Sequence, residues 1–151
     1  MGPQRNYFPL IVLAFGFLAT GCSKSDELAS VVPVKGKIVF LGKPISAGNT
    51  RAVILTPDNS QGNTSLHEAR GTIDREGNFE VTTANRNGAL PGPYKVAIVL
   101  MDSPLPDSKN PYVEPKWLID PKYGKPELSG LKLNVVENAP AGAYDLQVAT
   151  K

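Results

Sequence analysis

The chain has 151 residues, enough for one domain with its own core, and 41% hydrophobic with 20% charged residues is the balance of a globular protein. A formal net charge of +2, with no Lys/Arg run and no basic-aromatic alternation, lacks the electrostatic footprint of a nucleic-acid binder. Fourteen glycines and fourteen prolines favour short strands joined by turns over a helical bundle.

The N-terminus reads as a targeting segment. Arg5 supplies a thin positive region, Tyr7 to Thr20 is an almost uncharged apolar run, and the small residues Ala19, Thr20 and Gly21 precede Cys22. A spanning helix needs about 20 apolar residues, so this run is too short to cross a membrane and stay. The order Leu18-Ala19-Thr20-Gly21-Cys22 resembles the lipobox of bacterial lipoproteins, where signal peptidase II cuts before a lipid-modified cysteine. That resemblance implies a signal peptide over 1–21, acylation of Cys22 and a place in the bacterial cell envelope, in the outer or the cytoplasmic membrane. Ser23 after the cysteine matches the enteric pattern for transfer to the outer membrane. Cys22 is the only cysteine, so no intrachain disulfide forms, and a lipid role explains its position. Two or more acyl chains, at about 0.8 kcal/mol per buried CH₂, would hold the protein to a membrane. Residues 22–31 are polar and aperiodic after the cysteine and read as a tether.

The folded domain is expected over 32–151. Val34, Gly36, Ile38 and Phe40 alternate with Lys35, Lys37 and Val39, the period-2 pattern of a strand with one buried face. Gly42-Lys43-Pro44 turns the chain, a second strand runs from Arg51 to Thr56, and Asp58 to Ser65 is a polar loop. Strands three and four, from Leu66 to Ile73 and from Asn78 to Thr83, meet across Asp74-Arg75-Glu76-Gly77. Asp74 opens a type I turn by accepting backbone N–H bonds, and Gly77 supplies the positive φ that closes a three-residue hairpin loop. This turn sets Ile73 against Phe79 and Gly71 against Val81 on the buried side, with Thr72 and Glu80 on the other.

Strand five, from Tyr94 to Met101, carries Tyr94, Val96, Ile98 and Leu100 on one face and Ala97, Val99 and Met101 on the other, as expected for a central strand covered on both sides. Residues 102–126 hold six prolines with Tyr112, Trp117 and Tyr123 among mixed charges, and read as a long insertion. Gly130 to Val136 and Ala143 to Ala149 complete seven strands. With no amphipathic helix, an all-β Greek-key sandwich is the economical architecture.

Four stretches together resemble the carboxypeptidase regulatory-like domain: Val34-Lys35-Gly36-Lys37-Ile38, Gly42-Lys43-Pro44-Ile45, Gly71-Thr72-Ile73-Asp74 with Gly77-Asn78-Phe79, and Pro91-Gly92-Pro93-Tyr94-Lys95-Val96. Pro121-Lys122-Tyr123, Ser129-Gly130-Leu131 and Tyr144-Asp145-Leu146 are similar to short lipoproteins abundant in planctomycete bacteria. The resemblance spans Val32 to Val148. It implies a seven-stranded transthyretin-like (prealbumin-like) sandwich with a non-catalytic, accessory role.

The residues point away from an enzyme. His67 is the only histidine, so a Ser-His-Asp triad could be built only around it, and no Gly-x-Ser-x-Gly elbow is present. Hydroxyisourate hydrolase, an enzyme with a transthyretin-like fold, uses several histidines, an arginine and a Tyr-Arg-Gly-Ser end, whereas this chain ends Val148-Ala149-Thr150-Lys151. Asp74 to Asn78 lacks the later acidic ligand of a calcium loop, and turn geometry accounts for Asp74, so no metal and no cofactor are expected. An intramolecular isopeptide bond, as in collagen-adhesin B domains, would need Lys35 or Lys37, Asn134 and Glu80. These alternate with inward positions and are expected on solvated strand faces.

The insertion is the candidate binding surface. Tyr112, Trp117 and Tyr123 offer flat faces for stacking on sugars or anchoring a protein, against the alternative that Trp117 and Tyr123 fold back over a sheet edge. The sequence therefore predicts a non-catalytic, lipid-anchored envelope domain, structural or protein-interacting, whose partners are the membrane and an unidentified envelope protein or glycan. The alternative is a carbohydrate-binding lipoprotein that uses the 102–126 insertion.

Overall fold

The structure is a computed structural model and describes residues 1–2, 27–41, 48–103, 109, 111–112, 114 and 116–149. The apolar leader, Cys22, the start of the tether, the Gly42-Lys43-Pro44 turn and most of 104–115 lie outside the described residues.

Eight strands are described, one more than the seven expected: β1 Lys35–Leu41, β2 Thr50–Pro57, β3 Ala69–Ile73, β4 Asn78–Thr83, β5 Arg86–Asn87, β6 Gly92–Met101, β7 Leu131–Val135 and β8 Leu146–Ala149. They form one hydrogen-bonded path in the order β7-β6-β2-β3-β4-β1-β8, with β5 hung on β4, and the path curls nearly into a barrel. All pairs are antiparallel except β1 with β8. β1 changes neighbour midway: Lys35 to Lys37 pair with β4, and Ile38 to Leu41 pair with β8. That switch passes the chain from one part of the curled sheet to the next.

The turn at Asp74 pins this register. The Asp74 carboxylate accepts from the Glu76 and Asn78 N–H groups at 2.9 and 2.8 Å, and Gly77 sits at φ +87. Ile73 then faces Phe79, Thr72 faces Glu80 and Gly71 faces Val81. Ile73, Phe79 and Val81 are buried while Thr72 and Glu80 are exposed, because a period-2 backbone sends alternate side chains to opposite faces.

β6 pairs with β2 along its length and with β7 over its first half. Tyr94, Val96, Ile98 and Leu100 point into the common core. Ala97 and Met101 on the opposite face are buried as well. Their cover comes from 117–129, the latter part of the insertion, which folds into a 3-10 turn at Pro121–Gly124 and one helical turn, α1, at Pro126–Ser129. Proline at the start of each turn and Gly130 at φ +72 after α1 give the start and stop geometry that short helices need.

The molecule has two ends. At one lie residues 27–34, the loop 58–68, the β4–β5 turn and the loop 136–144, since β2 and β4 finish there and β1, β3 and β6 begin there. At the other, Thr50 pairs with Met101, and the insertion starts from Met101.

Candidate functional site

The three aromatic residues of the insertion do not share one surface. Tyr112 is 94% exposed. Trp117 bridges to Met101 as an antiparallel partner, with Leu118 N–H donating to the Leu100 carbonyl at 3.0 Å, so the chain returns beside the end of β6. Its indole is half-buried, packs on the core, and lies so close to Gly124 that a β-carbon there would overlap the ring. Tyr123 is 8% exposed, its ring belongs to the core, and its hydroxyl accepts from the Ala149 N–H at 3.4 Å. Lys122 Nζ stands 5.2 Å from the Tyr123 ring centroid, within cation–π range. Trp117 and Tyr123 therefore close the edge where β6 and β8 end, and Tyr112 is the one aromatic of the three fully presented to solvent.

A polar cluster forms where sequence reasoning placed only a loop. Asp58, directly after β2, is 1% exposed. Its Oδ1 accepts from the Ser60 N–H and hydroxyl at 3.2 and 2.6 Å, which starts a 3-10 turn at Asn59–Gln61. Lys95 Nζ from β6 lies 3.7 Å from Oδ1, and Lys132 Nζ from β7 lies 3.8 Å from Oδ2. Lys95 also donates to Glu127 of α1 at 2.7 Å. The cluster thus ties the end of β2 to β6, β7 and α1. The Ser60 hydroxyl holds the Asp58 carboxyl below its ordinary range against the opposing effect of burial, and the two lysines add to this. Glu127 and Asp58 hold the Lys95 ammonium above its ordinary range. Both groups are charged at neutral pH, so Lys95 is a proton-loaded partner rather than a free-amine nucleophile, and the arrangement suits an ion-pair clamp. The one local signal in the sequence is the Asp-Asn-Ser order after Pro57, a turn pattern; the burial arises from strands distant in sequence.

Three further buried polar side chains serve the backbone. Asn63 donates to the Pro93 carbonyl at 3.0 Å, Thr83 to that of Gly88 at 2.8 Å, and Ser129 to that of Val96 at 2.6 Å. His67 lies in a stapled loop, where its N–H donates to Ser65 Oγ and the Ser65 N–H donates to Asn63 Oδ1, both at 3.1 Å.

Lys35 and Glu80 do meet, as an exposed ion pair at 3.2 Å between facing residues of β1 and β4. Asn134 is exposed on β7 opposite Pro93 and lines a groove with Asp58 and Lys132, not with Lys35 or Glu80. The trio required for an isopeptide bond is not assembled. Among the described residues there is no group of three or more potential metal-ligating side chains, and no helix long and apolar enough to cross a membrane. No family model, curated protein or solved structure matches the chain.

Proposed function

We propose that the protein is a lipid-anchored β-domain of the bacterial cell envelope, acting as a structural or protein-interaction module and not as an enzyme. The observation that supports this best is the use made of its buried polar groups. Asp58, Asn63, Thr83 and Ser129 each bind main-chain atoms of a turn or of a neighbouring strand. Groups committed in this way rigidify loops and specify packing. The lipobox-like Leu18 to Cys22, and the motif order that resembles the carboxypeptidase regulatory-like domain, agree with this reading; within it, the curled eight-stranded sheet is a transthyretin-like fold carrying one added short strand. The glycan-binding alternative draws less support, since Tyr123 is in the core and Trp117 packs against Gly124.

Anchoring is tested by feeding cells a clickable fatty acid and isolating the full chain from the membrane fraction. The wild type is expected to carry the label and Cys22→Ser to lose both label and membrane association; an unlabelled, soluble wild type would refute the anchor. Interaction is tested by a photo-crosslinking residue at Tyr112, where a discrete protein adduct is expected and a glycan adduct would favour the alternative.

A further inference from the structure

The tether is fastened to one end of the domain. Leu28 lies in a 3-10 turn at Glu27–Ser30, and its carbonyl accepts from Arg86 Nη1 in β5 at 2.7 Å. Four residues on, Val32 and Ala89 exchange two backbone hydrogen bonds at 2.9 and 3.0 Å. Gly88, at φ +121, makes this approach possible, because a β-carbon there would overlap the Val32 carbonyl. The short strand β5, which sequence reasoning passed over, is the piece that holds Leu28.

Leu28 is six residue steps after Cys22, so their α-carbons stand at most about 21 Å apart, even for a fully extended chain. An anchor on so short a lead, clipped at Leu28, keeps the near end of the domain next to the surface that holds the acyl chains. That end displays an apolar residue. Ser30 lines one groove with Asn63, Thr64 and Ser65, and the next residue, Leu66, is 92% exposed. The loop that carries Leu66 is stiffened by Asn63 bonding to Pro93 and by the linked Asn63–Ser65–His67 turns. A rigid loop therefore holds a bare leucine beside the chain that leads to the anchor. Tyr112 belongs to the insertion that starts from the opposite end.

We infer that the domain has a fixed orientation on its membrane, with the exposed Leu66 of the 58–68 loop in contact with the lipid interface and Tyr112 directed away from it. Arg86 is the clamp that transmits the orientation from the anchor to the sheet. This inference rests on the lipid-anchor reading, and it adds which end of the molecule meets lipid and which is free for a partner.

The test uses the full chain with its acylated cysteine in vesicles of phosphatidylethanolamine and phosphatidylglycerol. Cys22 is the only native cysteine, so Leu66→Cys and Tyr112→Cys each give one site for an environment-sensitive fluorophore. Flotation is measured first, and then quenching by lipids carrying a doxyl group near the headgroup. The label at position 66 is expected to be blue-shifted and quenched several-fold more than that at 112. Arg86→Ala, with its circular dichroism melt confirming a folded domain, is expected to bring the two sites towards equal quenching. Protein that floats with the vesicles but shows equal or reversed quenching overturns the orientation while leaving the anchor intact. Protein that does not float overturns the anchor, and the orientation with it. Unequal quenching that survives Arg86→Ala removes the clamp role from Arg86.

Discussion

The Tyr144 hydroxyl donates to the Val136 carbonyl at 3.1 Å and accepts from the Val136 N–H at 3.2 Å, closing the loop between β7 and β8 on a single residue. β8 has no long ladder to hold it. It is four residues long and pairs in parallel with the second half of β1, so its entry into the sheet depends on how this loop is fixed. Tyr144→Phe keeps the ring but leaves both Val136 groups without the phenol oxygen. The expected loss is about 1–3 kcal/mol, the cost of part-buried backbone groups left unpaired. Urea midpoints with an unchanged m-value would measure it, and a variant as stable as the wild type would show that water replaces the phenol without cost.

Phe79 should be among the most sensitive core positions. It is 4% exposed, pairs with Ile73 across the hairpin, and its ring edge would stand 2.8 Å from a β-carbon placed on Gly36. Phe79→Ala is expected to cost about 3–5 kcal/mol, a large part of the roughly 5–15 kcal/mol that holds such a domain. Gly36→Ala is expected to destabilise by the reverse route, since its β-carbon would also overlap the Tyr144 carbonyl. Thermal melts of the two variants check this, and tolerance of Gly36→Ala would mean that β1 and Tyr144 can part without loss.

What the sequence reveals of this fold is what local chemistry encodes. The Asp74–Gly77 turn depends on residues within five positions of one another, and with it come the register and inward faces of β3 and β4. β6 is legible because its apolar run is long and uninterrupted. β5 is not, because Arg86 and Asn87 carry no apolar alternation; they form a strand because Ala84 adopts φ +51 and turns the chain back on Thr82 and Thr83. The parallel pairing of Ile38 with Leu146 joins residues more than a hundred apart, and no local period announces it. Asp58 reads as a loop residue until β6 and β7 bring Lys95 and Lys132 to it. Proline density at 102–126 hides the order of 117–129, where Pro121 and Pro126 open helical turns.

The pH dependence of stability follows from Asp58 and Asp74. Asn78 and its backbone neighbours hold the Asp74 carboxyl below its ordinary value of 3.8, as Ser60 and the lysines do for Asp58. A carboxyl with a depressed folded value binds protons less readily in the native state than in the unfolded chain. Its stabilising contribution is present above pH 3.8 and is lost as pH falls through the lower folded value. Lys95 acts on the alkaline limb: its raised value contributes fully below 10.5 and fades as pH climbs through the folded value. Denaturant midpoints recorded against pH should therefore fall on the acid side, less steeply in Asp58→Asn and in Asp74→Asn. An acid limb unchanged in both variants would assign the loss to other carboxylates.

Trp117 and Tyr112 separate packing from recognition within the insertion. Trp117 covers Gly124 and the end of β6, so Trp117→Ala is expected to lower stability by about 2 kcal/mol, less than a fully buried aromatic would. Tyr112, exposed over nearly its whole surface, should be replaceable by alanine within about 0.5 kcal/mol. The same pair read by crosslinking in cells should give the opposite order, with Tyr112→Ala reducing partner capture and leaving the melt in place. A large melting loss at Tyr112 would mean that the insertion packs against the domain there, and a neutral Trp117→Ala would free the indole for a binding role. The arrangement of Met101, Trp117 and Gly124 argues for the first order: the backbone of Trp117 is pinned to Met101 and its indole lies against Gly124 and the core, so the ring cannot turn outward without uncovering both.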